Sequence, residues 1–282
     1  MTEFNEKLYY CLNGLRSQRV SIATMKFPGG EVGVNINSGG LDWKHGFLHG
    51  VENIDLIAKI QNSDDLMAMF LATDALRRVY PLARIDLLIP YFPYARQDRV
   101  CNAGEALSVK VMATLINAQH YASVTVVDPH SPVLVAAVDR CYVVDQYDAF
   151  QGIKQDWHNW TIVAPDMGAM KKCEDFAKRV GAKAVVGFNK KRELSTGKIV
   201  GMQALFDIDP DEQYLVLDDI CDGGRTFVEL VGHMHCVGTI ELAVTHGIFS
   251  KGVEVLTDHF DHVYTTDSLP QTENAKLTVM RY

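Results

Sequence analysis

A chain of 282 residues with 48% hydrophobic and 22% charged content has the apolar material for one large or two ordinary globular domains, and two are expected. A formal charge of -8 opposes nonspecific binding to nucleic acid, whose affinity comes chiefly from neutralised phosphates, so a small anion would need a local basic pocket. No stretch approaches the ~20 unbroken apolar residues of a membrane span, MTEFNEKLYY lacks a signal-peptide layout, and the cysteines carry no CxxC spacing, so a cytoplasmic protein with reduced thiols and no membrane partner is expected.

In chain order, DDLMAMFLATDALRRVY (64–80) predicts a helix, ARIDLLIPYF (83–92) a strand, ALSVKVMATLINAQ (106–119) a helix and ASVTVVDPH (122–130) a strand. NWTIVAPD (159–166) predicts the next strand, MKKCEDFAKRVG (170–181) a helix, and KAVVGFNK (183–190), QYLVLDDI (213–220) and TIELAVTHG (239–247) further strands. Short apolar runs rich in β-branched residues, alternating with helices, are the pattern of parallel strands buried on both faces, so the class is α/β. Between them DRCYVVDQYDAFQGIKQDWHNW (139–160) is poor in alternation and offers no obvious helix caps. A boundary is expected there, giving domains 1–145 and 146–282. The endings of VTVVDPH, TIVAPD and YLVLDD, each apolar then acidic or histidine, hint at two related halves.

The most informative segment is YLVLDDICDGGRTF, residues 214 to 227. A buried strand runs into Asp218 and Asp219, then a turn with Asp222, Gly223 and Gly224, then Arg225 and Thr226 at a helix start. In an open parallel sheet ligands bind beyond the carboxyl ends of strands, where this turn must lie. Glycines let backbone N–H groups approach a phosphate, the helix start adds favourable partial charge, and paired aspartates suit ribose hydroxyls or hydrated magnesium. An arbitrary acidic turn with glycine is usually only a turn. Here strand, acidic pair, glycines and threonine occur in the order a phosphate site needs.

This loop resembles the phosphoribosyl-diphosphate loop of type I phosphoribosyltransferases and of ribose-phosphate diphosphokinases. Only the second family is also similar elsewhere: DALRRVYPLARIDLLIPYFPYARQDR (74–99), VTVVDPHSP, VAPDMGAMKKCEDFAKRVG, NKKRE, VTHGIFSKG and TTDSLP follow its blocks in order, from about residue 27 to 270. The resemblance implies two phosphoribosyltransferase-like domains, each a mainly parallel sheet flanked by helices, the first binding ATP and the second a ribose phosphate. It implies transfer of the β,γ-pyrophosphoryl group of ATP to the anomeric hydroxyl of ribose 5-phosphate, with magnesium, by a homo-oligomer built on dimers.

Residue by residue, the resemblance assigns Phe27, Glu31, Arg96, Gln97, Asp98 and His130 to ATP, and Asp166, Asp218, Asp219, Asp222, Gly223, Gly224, Arg225 and Thr226 to the ribose phosphate. It assigns Asp128, His130 and Asp166 to the metal, and Lys190, Arg192 and His130 to catalysis, the two cations neutralising charge on the transferring group. Read without their neighbours, RQD and NKKRE would be solvated turns and a strand-end histidine structural.

The chain also departs from the family pattern. Arg225 stands where the family loop usually carries a small residue, and one threonine is lost, so the pocket is wider and more cationic; a 5-extended acceptor such as ADP-ribose, leading to ADP-ribose pyrophosphate and NAD synthesis, is the alternative. Gly29 replaces a usual aspartate between Phe27 and Glu31, which touches base selectivity. VCNAGEALSVK differs where the family ties arginine and serine to allostery, so weak allostery is expected, and an end soon after TTDSLP implies an altered oligomer. A type I phosphoribosyltransferase would not need YARQDR, His130 or NKKRE, and a noncatalytic regulatory homologue would not need Lys190, Arg192 and His130.

Overall fold

The computed structural model describes residues 7–13, 19–36, 51–154, 156–192, 199–234 and 238–281, with the backbone alone for 190–192 and 199–202. It divides into two compact units, Met1–Val144 with Ser268–Pro270, and Asp145–Asp267 with Gln271–Tyr282.

The first unit carries β1 (Leu8–Leu12), β2 (Arg19–Lys26), β3 (Val32–Ile36), β4 (Asn53–Ala58), α1 (Ser63–Val79), β5 (Arg84–Ile89), α2 (Ser108–Asn117), β6 (Ser123–Val127), α3 (Pro132–Ala137) and β7 (Cys141–Val144). Its sheet runs β3-β2-β1-β4-β5-β6-β7. The pairings from β4 to β7 are parallel, and those joining β4, β1, β2 and β3 are antiparallel. Helix α1 starts because the Asn62 side chain accepts the Asp65 N–H at 3.0 Å, with Asp64 and Asp65 in the first turn and Arg77 and Arg78 in the last, each favourably placed on the helix dipole. Its Ala68, Met69, Ala72 and Leu76 recur at helical spacing and pack on Ile54, Leu56, Leu87 and Ile89 of β4 and β5.

The second unit carries α4 (Gln146–Phe150), β8 (Trp160–Ala164), α5 (Met170–Val180), β9 (Ala184–Arg192), β10 (Ile199–Ala204), β11 (Gln213–Cys221), α6 (Arg225–Met234), β12 (Ile240–Gly247), α7 (Glu254–Thr257), β13 (His262–Thr266) and β14 (Leu277–Met280). Its sheet runs β10-β9-β8-β11-β12-β13-β14, parallel throughout except for β10 against β9. Every residue of β8 and β12 is buried, as expected of strands covered on both faces. Phe188, Val216, Leu242 and Val244 form one core with Phe227 and Leu230 of α6, while Ile162, Leu215, Leu217 and Ala243 form the other with Cys173 and Phe176 of α5.

Two mostly parallel sheets flanked by helices are thus present, the first carrying an antiparallel side of β1, β2 and β3, with one correction. The stretch expected to lack helix caps holds β7 and α4, and the Asp145 carboxylate caps α4 by accepting the Asp148 N–H at 3.2 Å. Among the described residues no helix is long and apolar enough to cross a membrane.

Candidate functional site

Adjacent parallel strands β8 and β11 bring the acidic groups of the second unit together. Just beyond β8, one oxygen of Asp166 accepts the N–H groups of Gly168 at 2.9 Å and Ala169 at 3.2 Å, which turns the chain into α5. A Cβ on Gly168 would lie 3.1 Å from that oxygen, so a side chain there would press on the carboxylate. Toward the carboxyl end of β11, Asp218 and Asp219 follow one another and their carboxyl groups interact. Asp218 is half-buried and accepts the Asp219 N–H at 2.9 Å, while Asp219 is buried and has Lys172 of α5 3.8 Å away.

Burial, then the charges of Asp219 and Asp166, pushes the Asp218 carboxyl well above the ordinary carboxylate range. Carboxylates crowded in this way favour a cation or hydroxyl donors between them. That electrostatic demand is what a magnesium ion or a sugar diol supplies.

After Asp222 the turn closes tightly. Gly224 has φ +75, the left-handed region glycine enters without strain, and a Cβ there would meet Leu256 at 3.1 Å. Its carbonyl accepts the N–H groups of Phe227 at 3.0 Å and Val228 at 3.1 Å, starting α6 at Arg225. Arg225 is exposed, Thr226 is half-buried, and Gly223 lies beside Lys251. The buried Cys221 thiol is pushed up to about 12 by burial, then by the Asp218 charge, so it is a core thiol and no nucleophile at neutral pH.

The first unit gathers the other predicted group. Arg96, Gln97, Asp98, Arg99, Cys101, Glu105, Ala106 and His130 line one cleft of about 420 Å³. Tyr94 takes φ +62 and its carbonyl accepts the Gln97 N–H at 3.1 Å, so the chain turns sharply and leaves Arg96 and Gln97 exposed. Burial raises the Asp98 carboxyl, but the Arg99 hydrogen bond at 3.0 Å and the charges of Arg99 and His130 outweigh it and hold the group below its usual range. Asp128 is buried at the end of β6 with φ +38, an uncommon backbone for a non-glycine residue, and its N–H donates to Val144 at 2.8 Å.

Phe27 and Glu31 stand at the β2–β3 hairpin, where the Phe27 N–H donates to the Glu31 carbonyl at 2.8 Å; Phe27 is 49% exposed, an aromatic face open to a partner ring. Lys190 and Arg192 fall at the end of β9, and their side chains lie outside the described residues. Asp128 and His130 belong to the first unit and Asp166 to the second. Among the described residues no three acidic, histidine or cysteine side chains form a metal set.

Three positions were not read as functional from the sequence. Gln146 hides in the boundary stretch, Lys172 in an amphipathic helix, and Lys251 in the SKG that follows a strand. Only Lys251 had a sequence signal, a cation in the short loop beyond the carboxyl end of a strand.

The sequence family described as the N-terminal domain of ribose phosphate pyrophosphokinase matches residues 11–119. A ribose-phosphate pyrophosphokinase of Aquifex aeolicus is 31% identical over 272 residues, covering 92% of this chain and 82% of that protein. One from Mycoplasmopsis pulmonis is 28% identical over 222 residues, covering 76% and 68%. The crystal structure of phosphoribosylpyrophosphate synthetase from Mycobacterium smegmatis shares the fold, with a TM-score of 0.77 at 22% identity over 93% of this chain and 86% of that one.

Proposed function

This chain belongs to the ribose-phosphate pyrophosphokinase family of transferases, and from that premise we propose that it joins ATP and ribose 5-phosphate into phosphoribosyl diphosphate and AMP. The anomeric oxygen attacks the β-phosphorus of ATP. A new bond forms between that oxygen and phosphorus, the bond from the β-phosphorus to the α,β-bridging oxygen breaks, AMP leaves with the electron pair, and the anomeric proton passes to water.

The observation that carries the reading is the acidic pair, Asp218 half-buried and Asp219 buried, running into a glycine turn and a helix start. Asp218 and Asp219 accept hydrogen bonds from the ribose hydroxyls and fix the anomeric oxygen, while Gly223, Gly224, Arg225 and Thr226 hold the 5-phosphate with N–H, guanidinium and hydroxyl donors. Arg96, Gln97, Asp98 and His130 orient the ATP phosphates, Phe27 and Glu31 hold the base, and Lys190 and Arg192 offset charge on the transferring group. Asp128 and His130 of the first unit, and Asp166 of the second, are the residues that would hold magnesium together with substrate phosphates, and the ion would supply charge neutralisation for the transfer. We place the enzyme in the cytoplasm as a homo-oligomer built on dimers.

The test is product analysis with ATP, magnesium and ribose 5-phosphate. AMP and phosphoribosyl diphosphate are expected in equal amounts; ADP, or no ATP consumption, would remove the reading. The exposed Arg225 is the one observation favouring a 5-extended acceptor, and preference for ADP-ribose over ribose 5-phosphate in the same assay would carry that second reading.

A further inference from the structure

The phosphate turn of the second unit is flanked by acid. Asp218, Asp219 and Asp222 lie within five residues of one another, and Asp166 adds a further charge felt at Asp218. An anionic ester entering such a place needs more than backbone N–H groups to offset the repulsion, since like charges at close range cost several kcal/mol when water is partly excluded.

The loop after β12 meets this need. It is stitched to the turn by its backbone: the N–H groups of Ile248 and Phe249 donate to the Cys221 carbonyl at 2.8 and 3.2 Å, and the Ser250 N–H donates to the Asp222 carbonyl at 3.1 Å. It then folds back, with the Gly252 N–H donating to Phe249 at 2.8 Å and Gly252 at φ +86. The outcome is a fixed seat for the residue between. Lys251 Cγ lies 3.6 Å, and Ser250 Oγ 3.8 Å, from where a Cβ on Gly223 would be. The lysine stem therefore passes beside Gly223, and its exposed side chain is long enough to reach an anion there.

We propose that Lys251 is a specificity-determining residue of the acceptor site, its ammonium binding the phosphate carried on the sugar 5-position beside Gly223 and Arg225. This rests on the reading of the turn as the acceptor-phosphate site. Lys251 takes no part in bond making. It discriminates phosphorylated from unphosphorylated sugars and favours acceptors with more negative charge at that end.

Lys251→Ala should raise KM for ribose 5-phosphate about tenfold, the scale of one charged hydrogen bond, with kcat and KM for ATP little changed. Lys251→Arg should recover most of the loss. Affinity for ribose 5-phosphate without ATP, measured by calorimetry, should weaken in parallel in Lys251→Ala, while binding of unphosphorylated ribose stays as it was. An unchanged KM and affinity in Lys251→Ala, or an equal loss with unphosphorylated ribose, would overturn the proposal. A wild-type protein that binds ribose 5-phosphate through Lys251 but forms no AMP would overturn the diphosphokinase reading alone. One that binds no ribose 5-phosphate overturns both.

Discussion

The side-chain amide of Gln146 donates to the carbonyl oxygen of Asp218 at 2.7 Å and reaches the Thr245 hydroxyl at 3.3 Å. The β11–β12 ladder pairs Asp218 with Val244 and then Ile220 with His246, so Gln146 supplies a side-chain donor where the strand end carries the acidic pair. Gln146→Leu would leave that carbonyl without this donor in a buried place, at a cost of about 1–3 kcal/mol. Denaturant unfolding should show the loss, accompanied by a higher KM for the acceptor; unaltered stability would mean that the contact does not hold the strand end.

Asp218 should trade stability for function. Its carboxyl is raised first by burial and then by Asp219 and Asp166, so the folded chain holds that proton more tightly than the unfolded chain does. The stabilisation this gives is complete below the ordinary carboxylate range and is lost as pH climbs through the raised folded value. In chelator, as pH climbs through that raised value, the ionised group becomes a liability. Asp218→Asn is expected to raise Tm by about 2 °C there, with the gain shrinking as pH falls, while turnover drops by about a hundredfold or more. A lower Tm above that value would contradict the argument.

How legible the sequence was depended on what each element buries. Strands β8, β11 and β12 were read because burial on both faces makes them short continuous apolar runs, and helices α1 and α5 because such runs alternate with helix-like segments. Strand β2 gave no such signal: it is exposed at six of its eight positions, since it sits near the antiparallel edge of its sheet. Helix α4 is five residues long, too short for periodicity, and its Asp145 cap is indistinguishable in sequence from any loop aspartate. The acidic turn was legible because its chemistry is local. Gln146 was not, because its partner Asp218 is 72 residues away in the chain.

In the first unit, Arg96 is exposed in the cleft it shares with His130, so its loss should affect binding more than folding. Arg96→Ala is expected to lower kcat/KM for ATP by about tenfold to a hundredfold, the range for a guanidinium meeting phosphate oxygens. Arg96→Lys should recover only part, because an ammonium lacks the paired donors. Steady-state kinetics with ATP varied, alongside an unchanged thermal midpoint, checks both; a drop confined to the acceptor would move Arg96 out of the nucleotide site.

Strand β12 separates stability from chemistry along its own length. Its far end, Gly247, leads into the loop beside the acidic turn; its near end carries Glu241, ion-paired with Lys154. The Lys154 ammonium also donates to the Tyr264 hydroxyl at 3.1 Å and lies 4.0 Å above the Trp160 ring, and the side chains of the pair are each only 11% exposed. Glu241→Gln leaves a nearly buried ammonium without its carboxylate and should cost about 3–5 kcal/mol. Replacing both partners by Lys154→Met and Glu241→Leu removes the charges together and should recover most of that loss, since the desolvation of a buried pair is about as large as its attraction. Kinetic constants of the double variant at low temperature should match those of the unaltered chain, because the pair sits at the start of β12 while Asp218 pairs with Val244 toward its end. A double variant as unstable as Glu241→Gln would show that packing around Trp160 and Tyr264, and not the orphaned charge, sets the cost.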